Sequence, residues 1–227
     1  MVESEESTSV LARILDAAAE EFGRVGFSGA KVDAIARRAG VNKAALYYHV
    51  GNKEKLYETV LLQLFAQVAG TLEQAAKAGP DPVAALSALA SAMAGLFSRL
   101  PVLPRIMTME MASGARTMPL AALAEFRRIF GATRDILRQG QETGVMRPAN
   151  PAFVHMALVG TLVVYSLSEP LRRRFADAVQ EMDVRLDAPL AEAAAFLGDL
   201  IGRGLRPDAA VGETPVNTAG TEGHGDA

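Results

Sequence analysis

The sequence predicts an all-α chain: a compact N-terminal unit of three helices followed by a larger helical domain. Three observations predict it. Apolar residues recur at three- and four-residue spacing through almost every segment. No stretch alternates apolar and polar residues or gathers β-branched ones as a strand would, and no internal repeat stands out. A capping residue followed by proline marks helix starts at Asp81-Pro82 and Asn150-Pro151.

The first helix is predicted from about Thr8 to Val25, with Val10, Ile14, Ala17, Ala18, Phe22 and Val25 along one stripe. Gly26 can end it in a left-handed conformation, with Phe27 packing back. A short second helix spans about Lys31 to Ala39, with Val32, Ile35, Ala36 and Ala39 inward. Gly40 supplies the turn and Asn42 caps a third helix that runs to His49 or Val50. Gly51 and Asn52 break the chain before a long fourth helix, Lys53 to Lys77. Further helices are predicted at about 82–99, 102–112, 118–142, 151–173 and 188–205. The stretch 207–227 is rich in Gly, Ala, Thr, Asp and Glu and reads as a disordered tail. The domains are therefore placed at 1–53, 54–206 and 207–227.

Half of the 227 residues are hydrophobic, enough for a sizeable core. Cysteine is absent, which excludes disulfides, thiolate zinc sites and a cysteine nucleophile. The opening MVESEESTS lacks the basic and apolar regions of a signal peptide, so a cytoplasmic location is expected. The most apolar stretch, Ala152 to Leu167, is shorter than the roughly 18–20 residues that cross a bilayer and is read as a buried helix, with no membrane partner. Enzyme chemistry fails on inventory. The histidines are His49, His155 and His224, with no Gly-rich phosphate loop, no nucleophile elbow and no histidine-carboxylate metal spacing. Neither a metal nor a cofactor is expected.

The charge distribution is uneven. Residues 28–55 hold Lys31, Arg37, Arg38, Lys43, Lys53 and Lys55 against Asp33 and Glu54, a net of +4 on a chain of net −3. A confined basic face on an acidic protein suits phosphate. The two short helices joined by A-G-V-N form a helix-turn-helix whose third helix can enter a major groove. At 100° per residue Leu46 points away from Lys43, Ala44, Tyr47 and Tyr48, so Leu46 and Val50 anchor that helix to the core. The opposite arc is basic, small and aromatic. Ala44 and Ala45 let the backbone approach base edges, and Lys43 reaches a guanine edge or a phosphate. Tyr47, Tyr48 and His49 can donate to phosphate oxygens. Tyr47 also suits ring packing, and the two roles are compatible. Lys53 adds its charge to the positive end of the fourth helix. An adaptor with no DNA role would leave this helix unexplained.

The stretch Ile14 to Tyr57 resembles the DNA-binding domain of the TetR/AcrR family of transcriptional regulators. The matching elements are the GF after helix one, V-x-x-I-A-x-x-A-G-V in helix two, L-Y-x-H in helix three and N-K-x-x-L at the start of helix four. The resemblance implies DNA contacts at Lys31, Lys43, Ala44, Ala45, Tyr47, Tyr48, His49 and Lys53. This chain has Lys31 and Val32 where the family often has a hydroxyl residue, and Ala44 and Ala45 where it often has Gly, Pro or Thr. The resemblance further implies a homodimeric repressor that leaves palindromic double-stranded operator DNA when a small-molecule effector binds the larger domain.

In that domain, the expected ligand-pocket residues are Met93, Phe97, Met107, Glu110, Met111, Phe126, Phe130, His155, Met156 and Tyr165. Methionine suits an adaptable apolar pocket and equally suits a core. Dimer contacts are expected from the last helix, at Leu190, Ala194, Leu197 and Ile201, pairing with the apolar MALVGTLVVYSL helix in a four-helix interface. The run Arg172-Arg173-Arg174 is read as a solvated helix end.

Overall fold

The computed structural model describes residues 2–207. Those residues are helical, with no strand among them. The expected tail lies outside the described residues from 208 on. The first helix, α1 (Val2–Gly29), starts earlier than the apolar stripe suggests and contains a break at Gly26, whose φ of 71° is left-handed. That break swings Phe27 back over the core, 6.2 Å between ring centroids from Phe22. Next come α2 (Val32–Ala39) and α3 (Lys43–Val50), joined through Gly40 at φ 68°. The Asn42 side chain accepts from Ala45 N at 2.8 Å, capping α3 as its sequence predicts.

Helix α4 (Lys53–Ala78) follows after two residues, capped by Asn52, whose side chain accepts from Lys55 N at 2.7 Å. The expected boundary between residues 53 and 54 falls in its first turn, so one helix belongs to both parts. Helix α5 (Pro82–Arg99) begins at the Asp81-Pro82 signal, with Asp81 accepting from Ala84 N at 2.8 Å. Among the described residues it is long and apolar enough to match a membrane span by composition, yet half of it is buried inside the fold, as in the core helix of a helical domain. Its apolar sides pack against α4 and against four elements that follow: α6 (Val102–Ala112), α7 (Ala122–Glu142), α8 (Pro151–Leu167) and α10 (Leu190–Gly204). It is the core helix of the larger domain.

Two boundaries differ from expectation. Helix α7 starts at Ala122, after the Pro119 turn, rather than at 118. The helix expected over 151–173 is two helices. Helix α8 ends at Leu167, Ser168 intervenes, and α9 (Glu169–Phe175) leaves at a bend of 58°. Pro170 is the cause: it lacks an N–H and its ring clashes with the preceding turn, so it fits the first turn of a new helix but not the interior of an old one. Arg172, expected in solvent, clasps this bend. It donates to Ser168 Oγ, Tyr165 O and Leu186 O, and lies 3.6 Å from the centre of the Tyr165 ring.

Candidate nucleic-acid interface and ligand cavity

Helix α3 is held by its buried Leu46 and Val50 and presents the opposite arc outward. Tyr48 is 87% exposed and Tyr47 38% exposed. Tyr47 is thus half-packed, with part of its ring covered and part open to solvent. Lys43 and Ala44 are exposed, while Ala45 and His49 are partly covered. His49 lies edge-on to the Tyr48 ring at 5.4 Å. Lys43 Nζ sits 3.0 Å from Asp33 Oδ1 of α2, and that carboxylate raises its pKa. Lys31 sits exposed at the start of α2, while Lys53 Nζ lies 4.7 Å from the centre of the Phe27 ring. Lys31, Arg37 and Arg38 have no ion-pair partner among the described residues, so this face keeps a positive surplus. An exposed aromatic and basic helix of eight residues, pinned from behind by two apolar side chains, is shaped to meet a phosphate backbone.

Behind this head, Tyr57 of α4 gathers three elements. Its ring stands edge-on to Phe22 at 4.6 Å and tilted to Phe27 at 5.0 Å. Its hydroxyl donates to Glu110 Oε1 of α6 at 2.5 Å, and Thr117 donates to the same oxygen at 2.6 Å. Burial first, and the Glu110 contact second, push the Tyr57 pKa well above the usual phenol range. Glu110 Oε2 is buried without a hydrogen-bond partner.

A cavity of about 700 Å3 opens in the larger domain between α4, α5, α6, α7 and α8. Phe65 and Val68 of α4 form one wall, Met107 and Met111 of α6 another, and Phe126 and Phe130 of α7 a third. His155, Met156, Val159 and Val163 of α8 close it, with Met93 of α5 at its base. His155 is 4% exposed, and its Nδ1 lies 3.0 Å from Thr133 Oγ1. Burial depresses its pKa to about 4, so the ring is neutral near pH 7.

The sequence profile of bacterial regulatory proteins of the tetR family matches residues 14–60, and that of the tetracyclin repressor-like C-terminal domain matches residues 82–201. The chain belongs to the TetR family. It is similar to an HTH-type transcriptional repressor of Streptomyces coelicolor, 30% identical over 72% of this chain and 81% of that one. It is also similar to the HTH-type transcriptional repressor NicS of Pseudomonas putida, 27% identical over 85% and 91% of the two chains. Among solved structures, the TetR family regulator PfmR of Thermus thermophilus shares 30% identity, with a TM-score of 0.62 over 86% of this chain and all of that one. FadR of Bacillus subtilis, solved with stearoyl-CoA, shares the fold at 18% identity, with a TM-score of 0.64 over 86% and 99%.

In this TetR-family regulator of transcription, seven of the expected pocket residues surround one cavity: Met93, Met107, Met111, Phe126, Phe130, His155 and Met156. Three do not. Phe97 is buried one turn beyond Met93, where it lines a separate cleft with Ser166 and Leu190. Glu110 faces Tyr57 and Thr117, one position away from the cavity face that Met107 and Met111 share. Tyr165 donates to Ala188 O at 2.7 Å and stacks on Arg172. The sequence reading missed Phe65 and Val68, because α4 is apolar on several sides and its stripe does not mark which side meets a void. It also missed Val159, Val163 and Leu167, which share the Met156 side of α8 and could have been found from that spacing alone.

The structure turns the expected dimer residues toward the subunit's own core. Ala194 and Leu197 are buried within the subunit, and Leu190 and Ile201 pack against the same core. Helix α10 lies so close on α5 that a Cβ at Gly198 would come 2.9 Å from Ser87 Cα. The small residues of α10 thus serve contact inside the subunit. Its outward face carries Phe196, 65% exposed, and Leu200, 52% exposed, and α8, which packs against α10, also exposes Phe153 and Val164. Among the described residues no cluster suited to a metal occurs.

Proposed function

We propose that the chain is a homodimeric repressor that holds a palindromic operator with its two α3 helices and releases it when a largely apolar small molecule fills the cavity. One observation carries the reading. Helix α4 supports the DNA-facing head at its first turns and walls the cavity with Phe65 and Val68 further along. Whatever fills the cavity therefore acts on the helix that aims α3. Two copies paired through the outward apolar faces of α8 and α10 would set the α3 helices about one helical turn of DNA apart, roughly 34–36 Å. Such a regulator works in the cytoplasm, where the genome lies.

A differential affinity of about 1–3 kcal/mol between the two states gives useful control, and a near-complete switch needs about 5.5 kcal/mol. The test is selection from a random double-stranded DNA pool at moderate salt, followed by titration of the recovered site in the presence of cavity-filling compounds. A palindrome whose binding weakens as the cavity fills is the expected result. Tight filling of the cavity with operator affinity unchanged would overturn the release mechanism.

A further inference from the structure

The cavity wall is specific about charge. None of its described lining residues is Lys, Arg, Asp or Glu. Its polar side chains are Thr108, His155 and Ser168, and both hydroxyls are engaged. Thr108 donates to Pro104 O at 2.9 Å, and Ser168 donates to Tyr165 O at 3.1 Å while receiving Arg172 Nε. His155 differs. One ring nitrogen meets Thr133 and the other has no protein partner, in a ring that lines the cavity with Phe130 tilted against it at 4.3 Å.

Hydrogen-bond accounting fixes which way that ring is protonated. Thr133 is fully buried, and its hydroxyl has His155 Nδ1 as its partner among the described residues. If Nδ1 carried the proton, the Thr133 hydroxyl hydrogen would be left without an acceptor in a dry site. Thr133 therefore donates to Nδ1, and the proton of the neutral imidazole resides on Nε2 as a donor. A donor facing an apolar cavity calls for a ligand oxygen.

We propose that the effector is an uncharged, largely hydrocarbon molecule that presents one oxygen acceptor, a ketone or a hydroxyl, to His155 Nε2, and that carboxylates and acyl-CoA thioesters are not ligands. The first half follows from the lone donor. The second follows from the wall, because an ionised group placed there would lose its hydration with no cation to replace it. A volume of about 700 Å3 is in the range of drug-sized ligands. This assignment deepens the effector reading above and rests on it.

The test uses the full chain and four probes in calorimetric titrations: methyl naphthyl ketone, ethylnaphthalene, naphthoate and decanoyl-CoA. The ketone is expected to bind at least ten-fold more tightly than the other three. His155→Phe should bring the ketone down to the level of ethylnaphthalene, while His155→Gln, which keeps a donor, should retain part of the preference. Operator titration with the same probes separates the two conclusions. Ketone binding through His155 with no loss of operator affinity leaves the ligand class standing and removes the effector role. Operator release by naphthoate or decanoyl-CoA does the reverse. A ketone preference that survives His155→Phe, or no binding by any probe, overturns the assignment.

Discussion

The Tyr57 hydroxyl donates to Glu110 across a distance of 2.5 Å, joining the helix that carries the DNA-facing head to the helix that walls the cavity. The residues flanking this contact are divided between the two tasks. Phe22 and Phe27 press on the Tyr57 ring from the head, and Met107 and Met111 lie on the same helix as Glu110 but face the cavity.

Tyr57→Phe should keep the ring packing and delete the contact. The buried Glu110 carboxylate would then retain one hydrogen bond, from Thr117. Loss of one such partner costs about 1–3 kcal/mol, read as a lower denaturant midpoint. If the contact also transmits cavity filling, the variant should need more ligand for the same operator release. An unchanged midpoint would show that the phenol contributes nothing net.

Tyr48→Ala should weaken operator binding and leave thermal stability unchanged, since the side chain is almost wholly exposed. Lys43→Ala should reduce affinity about ten-fold and relax preference at one base pair if the amine reads a base edge, or reduce binding uniformly across sequences if it reads phosphate. Asp33→Asn should do the opposite. It frees Lys43 from its ion pair and removes a negative charge from the face, so binding should tighten and depend more steeply on salt.

Two changes on α10 separate its faces. Phe196→Asp combined with Leu200→Asp should yield a folded monomer by light scattering, because both side chains point outward. Leu197→Ala should instead destabilise each subunit by about 2–5 kcal/mol through a core cavity. A dimer that survives the double aspartate variant would place the interface elsewhere.

Burial holds the His155 pKa at about 4, below the ordinary value near 6.5. The unfolded chain therefore takes up a proton first as pH falls. The stability linked to this ring is complete above about pH 6.5 and is lost as pH drops from there towards 4, by at most about 3 kcal/mol. His155→Gln should flatten that part of the pH–stability curve relative to the parent. Parallel curves between pH 7 and 5 would show that the ring does not titrate in this way.

The legible parts of this chain are those set by local chemistry. Asn42, Asp81 and Asn150 cap helices where the sequence places them, and Leu46 and Val50 alone suffice to orient α3. Pro170 was equally informative about the break after α8, but the apolar run that ends just before it drew the expected helix through. The apolar face of α10 was legible from its spacing, but what it packs against was not. The stripe of Leu190, Ala194, Leu197 and Ile201 would suit a partner subunit as well as α5, and the close approach of Gly198 to Ser87 shows that it meets α5. The cavity fared similarly. Its methionines and phenylalanines could be named, but a residue that lines a void and one that fills a core have the same composition. Glu110 was misplaced because its partner, Tyr57, lies fifty-three positions away.

The length of α4 has a mechanical consequence. Twenty-six residues make a rod of about 39 Å. With only Gly51 and Asn52 between its near end and α3, the rod acts as a lever arm. A tilt of about 5° about its far end would carry the near end by about 3 Å, close to the rise of one base pair. In a symmetric pair the two displacements add. A ligand that shifts the rod at Phe65 and Val68 by about 1.5 Å would thus leave two reading helices out of step with the groove.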